Sequence, residues 1–452
     1  MHPALGIGLV LAVLGLVMAA ARTAGRRWRW EPELQRKAVH IGMGATVLSF
    51  PWLFSSPVPV FVLAGLAVAA LLCARRVPFL RRGAVSALYG IERDSHGELY
   101  FSVSVALVFW LSGGDPVSYG VPVLILTLAD AAGALIGVRY GKLAYTTLSG
   151  TKSAEGSVTC FTVSFFAAHV PLLLATGLGR AESLLIALCL AALCMLVEAV
   201  ATRGIDNLVV PLGAWFLLVR LSALDVVTLA GRAALLVALL ATVLALRKYS
   251  SLEGGALLGS VLLAYGCFAL GGAVFLAVIA ILFACHLIAV GAIRRIFPPR
   301  HNLNAVLCLA ATSLPWLILL DNGKLPRDQS LYGFTASVAT HIAIFNLNTV
   351  RVLLPGLSRP QCLIRCPLKA LLCFVPVLLF PPGAFGVAVA MAGVIFVLCA
   401  TALAVFDAVV PGLADAPRMD AVRRWILQGS ISLAAAAAAA GTAGWLAHSP
   451  GR

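Results

Sequence analysis

The stretch Val121-Pro-Val-Leu-Ile-Leu-Thr-Leu-Ala-Asp130-Ala-Ala-Gly-Ala-Leu-Ile-Gly137 carries a single charged side chain. Its apolar residues do not alternate as they would in a half-buried strand, and no polar stripe recurs at helical spacing as on a soluble helix. The surrounding run Val117–Ile136 is long enough to cross the hydrocarbon core of a bilayer as a helix. A carboxylate at or inside such a run is costly, and in a membrane it marks a functional position by default.

The same texture recurs along the chain, for example at Ala4–Ala21, Leu184–Val200 and Phe385–Phe406. With 61% hydrophobic residues and a mean hydropathy of +1.00, a soluble domain is excluded. The expected fold is all-α, a polytopic transmembrane helical bundle of roughly fifteen or sixteen spans. Two modules are expected, residues 1–220 and 221–452. The first span lacks a basic leader and is followed by Arg26-Arg27-Trp28-Arg29-Trp30, so it reads as a retained helix with an interfacial anchor. The 11 cysteines include no Cys-x-x-Cys pair and lie mostly in apolar runs, as small buried hydrophobes do.

A formal net charge of +15 raises the question of nucleic acid. The basic residues instead gather in short loops: Arg22–Lys37, Arg75–Arg93, Arg139–Lys152, Arg203, Arg247-Lys248, Arg294–Arg300, Arg351–Lys369 and Arg418–Arg424. Pairs of spans separate these clusters, which places every cluster on one side, the cytoplasm. The chain is therefore expected in an inner membrane, with membrane lipid rather than nucleic acid as its partner. On this walk Arg36, Lys37, His40, Asp130, Lys152, Glu155, Glu198, Asp206 and Asn207 emerge at the cytoplasmic ends of the spans, on one face, as one active site requires.

Each motif has a bland reading beside the chemical one. Gly133 and Gly137 permit close helix packing or close approach of a ligand. The loop from Tyr140 holds Lys142 and delivers Gly150-Thr151-Lys152-Ser153-Ala154-Glu155-Gly156-Ser157, where a lysine beside glycines and hydroxyls suits phosphate. The bland reading is a helix cap at Thr151 or Ser153, with a local Lys152–Glu155 ion pair. The Walker spacing is absent. Glu198 and Asp206-Asn207 flank a short turn and make a good Mg²⁺ shell, or a salt-bridged turn around Arg203. His40 is either a base or phosphate donor, or a packing histidine. Glu98 lies at the same face, whereas Asp115 falls on the other.

In order and spacing, Arg36-Lys37-x-x-His40, Asp130 to Gly137, Gly150 to Ser157, and Glu198 with Ile205-Asp-Asn-Leu-Val-Val-Pro211 resemble the CTP-dependent lipid kinases, the family of dolichol, phytol and diacylglycerol kinases. The resemblance spans residues 30–220. It implies transfer of the γ-phosphoryl of CTP to a lipid alcohol such as phytol, geranylgeraniol or a polyprenol. It further implies Gly133, Gly137, Lys142, Gly150, Thr151, Lys152, Gly156 and Ser157 at the nucleotide, and Arg36, Lys37 and His40 at the substrate. Asp130, Glu155, Glu198 and Asp206 would hold Mg²⁺, with Asn207 beside them. Cytidylyl transfer to a lipid phosphate would use similar ligands and release pyrophosphate instead of CDP. A transporter would place its charges near the bilayer midplane.

The remainder of the chain resembles more faintly the membrane family that includes phytyl-phosphate kinase, through Lys248 to Ala256, Arg300 to Ala305 and Leu331 to Ala339. Where that family carries Asp-Thr-Trp-Ala-Ser-Glu, this chain has Ile344-Phe-Asn-Leu-Asn-Thr349, without either carboxylate. The second module is therefore expected to be inactive or strongly divergent. Asn302, Asn304, Asn346 and Asn348 are its buried-amide candidates.

Overall fold

The computed structural model describes residues 2–76, 96–148, 150–293, 301–410 and 421–448. The expected basic cluster Arg294–Arg300 lies outside these, as do residues 77–93 of Arg75–Arg93 and residues 418–420 of Arg418–Arg424. Among the described residues the chain is helical except for one short hairpin, and 11 helices are long and apolar enough to cross a membrane. Two shorter apolar helices, Val58–Ala74 and Gly97–Leu111, accompany them. The polytopic all-α bundle is thus what forms, with fewer full-length spans than the apolar runs suggest. Chain contacts divide the fold into two compact units, Met1–Val237 and Ala238–Arg452.

The first unit comprises α1 (Pro3–Arg27), α2 (Pro32–Leu48), the short α3 (Phe50–Leu53), α4 (Val58–Arg76), α5 (Gly97–Leu111), α6 (Pro116–Leu124), a π-helical turn (Ile125–Ala129) and α7 (Asp130–Tyr140). It continues with β1 (Ala144–Thr147), β2 (Gly150–Ser153), α8 (Ala154–Ala175), α9 (Arg180–Val200), α10 (Asp206–Ser222) and α11 (Val226–Leu246), the last of which runs into the second unit. The caps follow local chemistry. Proline opens α1, α2 and α6, where its missing N–H costs nothing. Asp115 accepts from Ser118 N at 2.8 Å to start α6.

The segment from α6 through α7 is the axis of this unit. One side of it, including Val121, Ile125 and Ala129, buries against Cys160, Leu172, Ile186, Leu190 and Ala214. The other side, with Tyr119, Val123 and Leu126, joins Val47, Phe50, Phe101 and Phe109. The fully buried Tyr119 hydroxyl donates to Val47 O at 2.8 Å, fixing this axis to α2. Because lipid is as apolar as leucine, such contacts are held by close packing and hydrogen bonds rather than by exclusion of water. Pro122 breaks the regular ladder, and the π turn that follows carries one residue more than an α turn. An extra residue rotates all later side chains by about 100° relative to an unbroken helix. Asp130 is the first of them.

Asp130 was expected at the end of its span. It lies inside Pro116–Tyr140, since Ala131 to Tyr140 contains no proline and the helix continues to Gly141. Ten further residues extend about 15 Å beyond it.

In the second unit the helices are α12 (Gly254–Gly271), α13 (Ala273–Ile293), α14 (Leu303–Asp321), α15 (Arg327–Leu353), α16 (Arg359–Ala370), α17 (Val375–Leu379), α18 (Phe385–Val409) and α19 (Ala421–His448). Here α15 is central, packed by α13, α14, α16, α18 and α19. Ile344 to Thr349 lies in α15, with Ile344, Asn346, Leu347 and Thr349 buried among its neighbours. Asn302, expected buried, is exposed and accepts from Asn304 N at 3.1 Å to cap α14. All 11 cysteines are free, as expected of buried hydrophobes.

Candidate active site

Three carboxylates from three elements meet in the first unit. Asp130 follows the π turn, Glu198 occupies the last turn of α9, and Asp206 opens α10. One oxygen from each lies within 4.8 Å of the others, and all three residues are half-buried. The turn between α9 and α10 makes this possible. Arg203 (φ 53°) and Gly204 (φ 83°) adopt left-handed backbone, which reverses the chain sharply. Arg203 O accepts from His96 N at 3.1 Å, and Asn207 Nδ2 donates to Gly97 O at 3.0 Å, so the start of α5 holds the turn in place. Arg203 itself is exposed and, among the described residues, pairs with neither acid. The reading of a salt-bridged turn is thereby set aside.

Each cation has a defined partner. Lys37, 1% exposed, places Nζ 2.7 Å from Asp130 Oδ2. His40 Nε2 lies 3.3 Å from the same oxygen and 3.1 Å from Leu126 O in the π turn. Both neighbours only accept, which assigns the proton to Nε2. Lys152 Nζ is 2.8 Å from Glu198 Oε1 and also donates to the Glu198 carbonyl. Burial alone would depress the Lys152 ammonium, but Glu198 outweighs it and holds the group above the usual lysine value. Asp206 has no ion pair among the described residues. Three carboxylates thus face two lysines.

The acids line a cavity of about 10 Å³, room for one water-sized body, together with Asn207, Cys160 and apolar residues of the π turn. Asn207 Oδ1 is buried there without a partner. Converging hard oxygens and an orphaned carbonyl fit a small divalent cation such as Mg²⁺.

The segment after α7, expected as a loop, folds into an antiparallel hairpin with Tyr145 opposite Lys152. Gly150, at φ 128°, supplies the turn conformation that side chains avoid. Cross-strand partners share a face, and on that face the Tyr145 hydroxyl meets Ser157 Oγ at 2.8 Å. Burial pushes the Tyr145 phenol up, and the Ser157 hydrogen bond offsets part of that. Ser153 accepts from Gly156 N at 3.2 Å, so the bland capping reading holds at Ser153 while Lys152 still reaches Glu198.

Other expected contacts fall elsewhere. A Cβ on Gly156 would sit 2.8 Å from Gly133 O and 3.1 Å from Gly137 Cα, so Gly133, Gly137 and Gly156 form the contact of α7 with α8. They face one another rather than a ligand. Glu155 stands outside the acid trio because its carboxylate accepts from Leu143 N at 3.2 and 3.3 Å, tying down the hairpin. Arg36 turns its guanidinium to Glu33, at 2.7 Å. Lys142, Gly150 and Thr151 are exposed around the hairpin. Sequence reasoning missed Lys37 as the partner of Asp130, although its placement one turn before His40 put both on one helix face.

Among curated proteins, the phytol kinase of Synechocystis sp. is 32% identical over 213 residues, which cover 46% of this chain and 88% of that protein. No protein-family model matches the chain, and no solved structure matches it. With that identity sustained along most of the relative, the chain belongs to the phytol kinase family.

Proposed function

We propose that the unit Met1–Val237 is a membrane kinase that transfers the γ-phosphoryl of CTP to an isoprenoid alcohol such as phytol, geranylgeraniol or a polyprenol at the cytoplasmic face of an inner membrane. What carries the reading is the convergence of Asp130, Glu198 and Asp206 within 4.8 Å beside two lysines. Phosphoryl transfer asks the protein mainly for positioning and charge neutralisation, and this inventory supplies both.

Asp130, Glu198 and Asp206 would hold Mg²⁺, with Asn207 Oδ1 facing the same cavity. The ion, when bound, neutralises phosphate charge. Lys37 and His40 engage Asp130 through Oδ2, leaving Oδ1 for a ligand. Lys152, 26% exposed on the hairpin, is the cation able to leave its carboxylate for a nucleotide phosphate. In the reaction the alcohol oxygen forms a bond to the γ-phosphorus as the bond to the β-phosphate oxygen breaks. CDP departs, and the alcohol proton passes to a carboxylate of the trio. The second unit has no carboxylates between Ile344 and Thr349, so phosphoryl transfer is assigned to the first unit alone.

The test is incubation of membranes containing the protein with γ-labelled CTP or ATP and a panel of lipid alcohols. The expected products are labelled lipid monophosphate and CDP. Pyrophosphate with a CDP-lipid would establish cytidylyl transfer instead, and label transfer from ATP alone would refute the choice of donor.

A further inference from the structure

Helix α2 does more than supply Lys37 and His40. Lys37, His40, Gly44 and Val47 recur at helical spacing and share one face of the helix. That face packs on the segment from α6 to α7. Lys37 Nζ meets Asp130 Oδ2 at 2.7 Å, His40 Nε2 meets Leu126 O at 3.1 Å, and Val47 O accepts from the Tyr119 hydroxyl at 2.8 Å. Gly44 stands between His40 and Val47 and faces Thr127, inside the π turn. Gly42, two residues before, faces Val17 of α1 instead, so the two glycines serve different neighbours.

The fit at Gly44 admits no side chain. A Cβ there would lie 2.7 Å from Thr127 Cβ and closer still to Thr127 Oγ1 and Cγ2. Turning Thr127 about χ1 moves the last two atoms but not its Cβ, so the backbone of α2 or of the π turn must shift. Thr127 is 1% exposed, and its hydroxyl has no hydrogen-bond partner. A hydroxyl left unpaired in the interior is costly. What the position uses is therefore the shape of the side chain, a branched knob seated over the notch at Gly44. Asp130 follows three residues after the knob, and its Oδ2 receives Lys37 and His40 from the turns of α2 that precede Gly44. Because the π turn carries an extra residue, its seat on α2 fixes the direction in which Asp130 leaves the axis.

We propose that Gly44 and Thr127 are positioning residues for the acid trio. The threonine seated over the glycine fixes the π turn against α2, and so holds Asp130 at Lys37 and His40 and within reach of Glu198 and Asp206. The importance of this pair for phosphoryl transfer rests on the kinase reading; the placement of Asp130 does not.

The test is a double-mutant cycle on full-length protein in nanodiscs, read by thermal unfolding without Mg²⁺ and joined to transfer from labelled CTP. Asp130→Asn alone should lower the unfolding temperature by several degrees, since it breaks the buried pair with Lys37. In the Gly44→Ala background that pair is already parted, so the same substitution should lower it by less than about half as much, whereas independent sites would add. Gly44→Ala should also reduce transfer at least about tenfold, through kcat rather than KM, because a displacement of about 1 Å at a reacting group costs on the order of a hundredfold. Gly44→Ala with Thr127→Ala, which removes the two atoms nearest the new Cβ, should recover most of both losses. Thr127→Val keeps the knob and should hold wild-type transfer, with an equal or higher unfolding temperature. Additive effects of Gly44→Ala and Asp130→Asn would overturn the proposal. So would failure of Thr127→Ala to rescue Gly44→Ala, or loss of transfer in Thr127→Val. A wild-type protein without transfer would refute the kinase reading alone, and the unfolding cycle would still decide whether Gly44 places Asp130.

Discussion

Asp206→Asn should make the protein more stable and less active at once. The three carboxylates lie within 4.8 Å of one another, so each charged pair repels by about 3.5 kcal/mol or more at an effective dielectric of about 20. Removing the charge of Asp206 relieves two such pairs, about 7 kcal/mol gross. Attraction to Lys152 already offsets much of this, leaving a net gain on the order of 1–2 kcal/mol. Asp130→Asn is the contrast. It strands Lys37, 1% exposed, beside a neutral amide, and breaking a buried pair costs about 3–5 kcal/mol. The assay is thermal unfolding of purified full-length protein in nanodiscs, with and without Mg²⁺, alongside transfer from labelled CTP. Asp206→Asn should unfold a few degrees higher without Mg²⁺ and lose the Mg²⁺-induced rise. Its transfer rate should fall by at least about a hundredfold, as for lost electrostatic stabilisation at a reacting centre. If Asp206→Asn destabilises the metal-free protein as much as Asp130→Asn does, or keeps the Mg²⁺ response, the trio is not a strained metal site.

Lys152→Ala should abolish phosphoryl transfer while the protein still inserts and binds Mg²⁺, measured by labelled-CTP turnover and by the Mg²⁺ shift in unfolding. Gly156→Val should part α7 from α8, since its Cβ would lie 2.8 Å from Gly133 O; overpacking of this kind costs about 1–3 kcal/mol, read as a lower unfolding temperature. Glu155→Gln should leave Mg²⁺ affinity within about twofold of wild type, because its carboxylate lies outside the acid trio and the amide oxygen can still accept from Leu143 N, and a larger change measured by titration calorimetry would return Glu155 to the metal shell.

The all-α membrane fold and the acid trio were both legible in the sequence, for one reason. In an apolar chain the exceptions are costly, and Asp130, Glu198 and Asp206 were among the few carboxylates at or within spans. Their meeting was also foreseeable from loop charges, which bring the end of α9 and the start of α10 to one face. Depth was not legible. The apolar run itself continues past Asp130 to Ile136, yet taking a costly carboxylate to mark a span end stops the helix short of Tyr140. The π turn has no residue signature beyond Pro122, and yet it sets the direction of Asp130. Glycine was ambiguous in principle, because the property that lets a phosphate approach also lets a second helix approach. At Gly133, Gly137 and Gly156 the helix took the space. The hairpin was hidden by its shortness, four residues in each strand, too few for alternation to be read.

The two lysines, alike in charge and each paired with one acid, differ in what they can do. Lys37 is 2% exposed in its side chain and lies on α2, and its Nζ shares Asp130 Oδ2 with His40. Leaving that oxygen would bury an unpaired ammonium and an unpaired carboxylate together. Lys152 is 26% exposed and stands on a two-stranded hairpin whose far end is Gly150. Its side chain, unlike that of Lys37, reaches solvent and can turn from Glu198 without burying an unpaired ammonium. On the proposed kinase reading Lys37 would be the fixed counter-charge that aims Asp130, and Lys152 the cation that exchanges a carboxylate for a phosphate. That exchange would free Glu198, so nucleotide and metal would assist each other's binding: each would relieve a pairing that the other requires broken. Coupling of this kind needs no long-range rearrangement, only the turn from Arg203 to Asp206 holding Glu198 in place while the Lys152 side chain turns away.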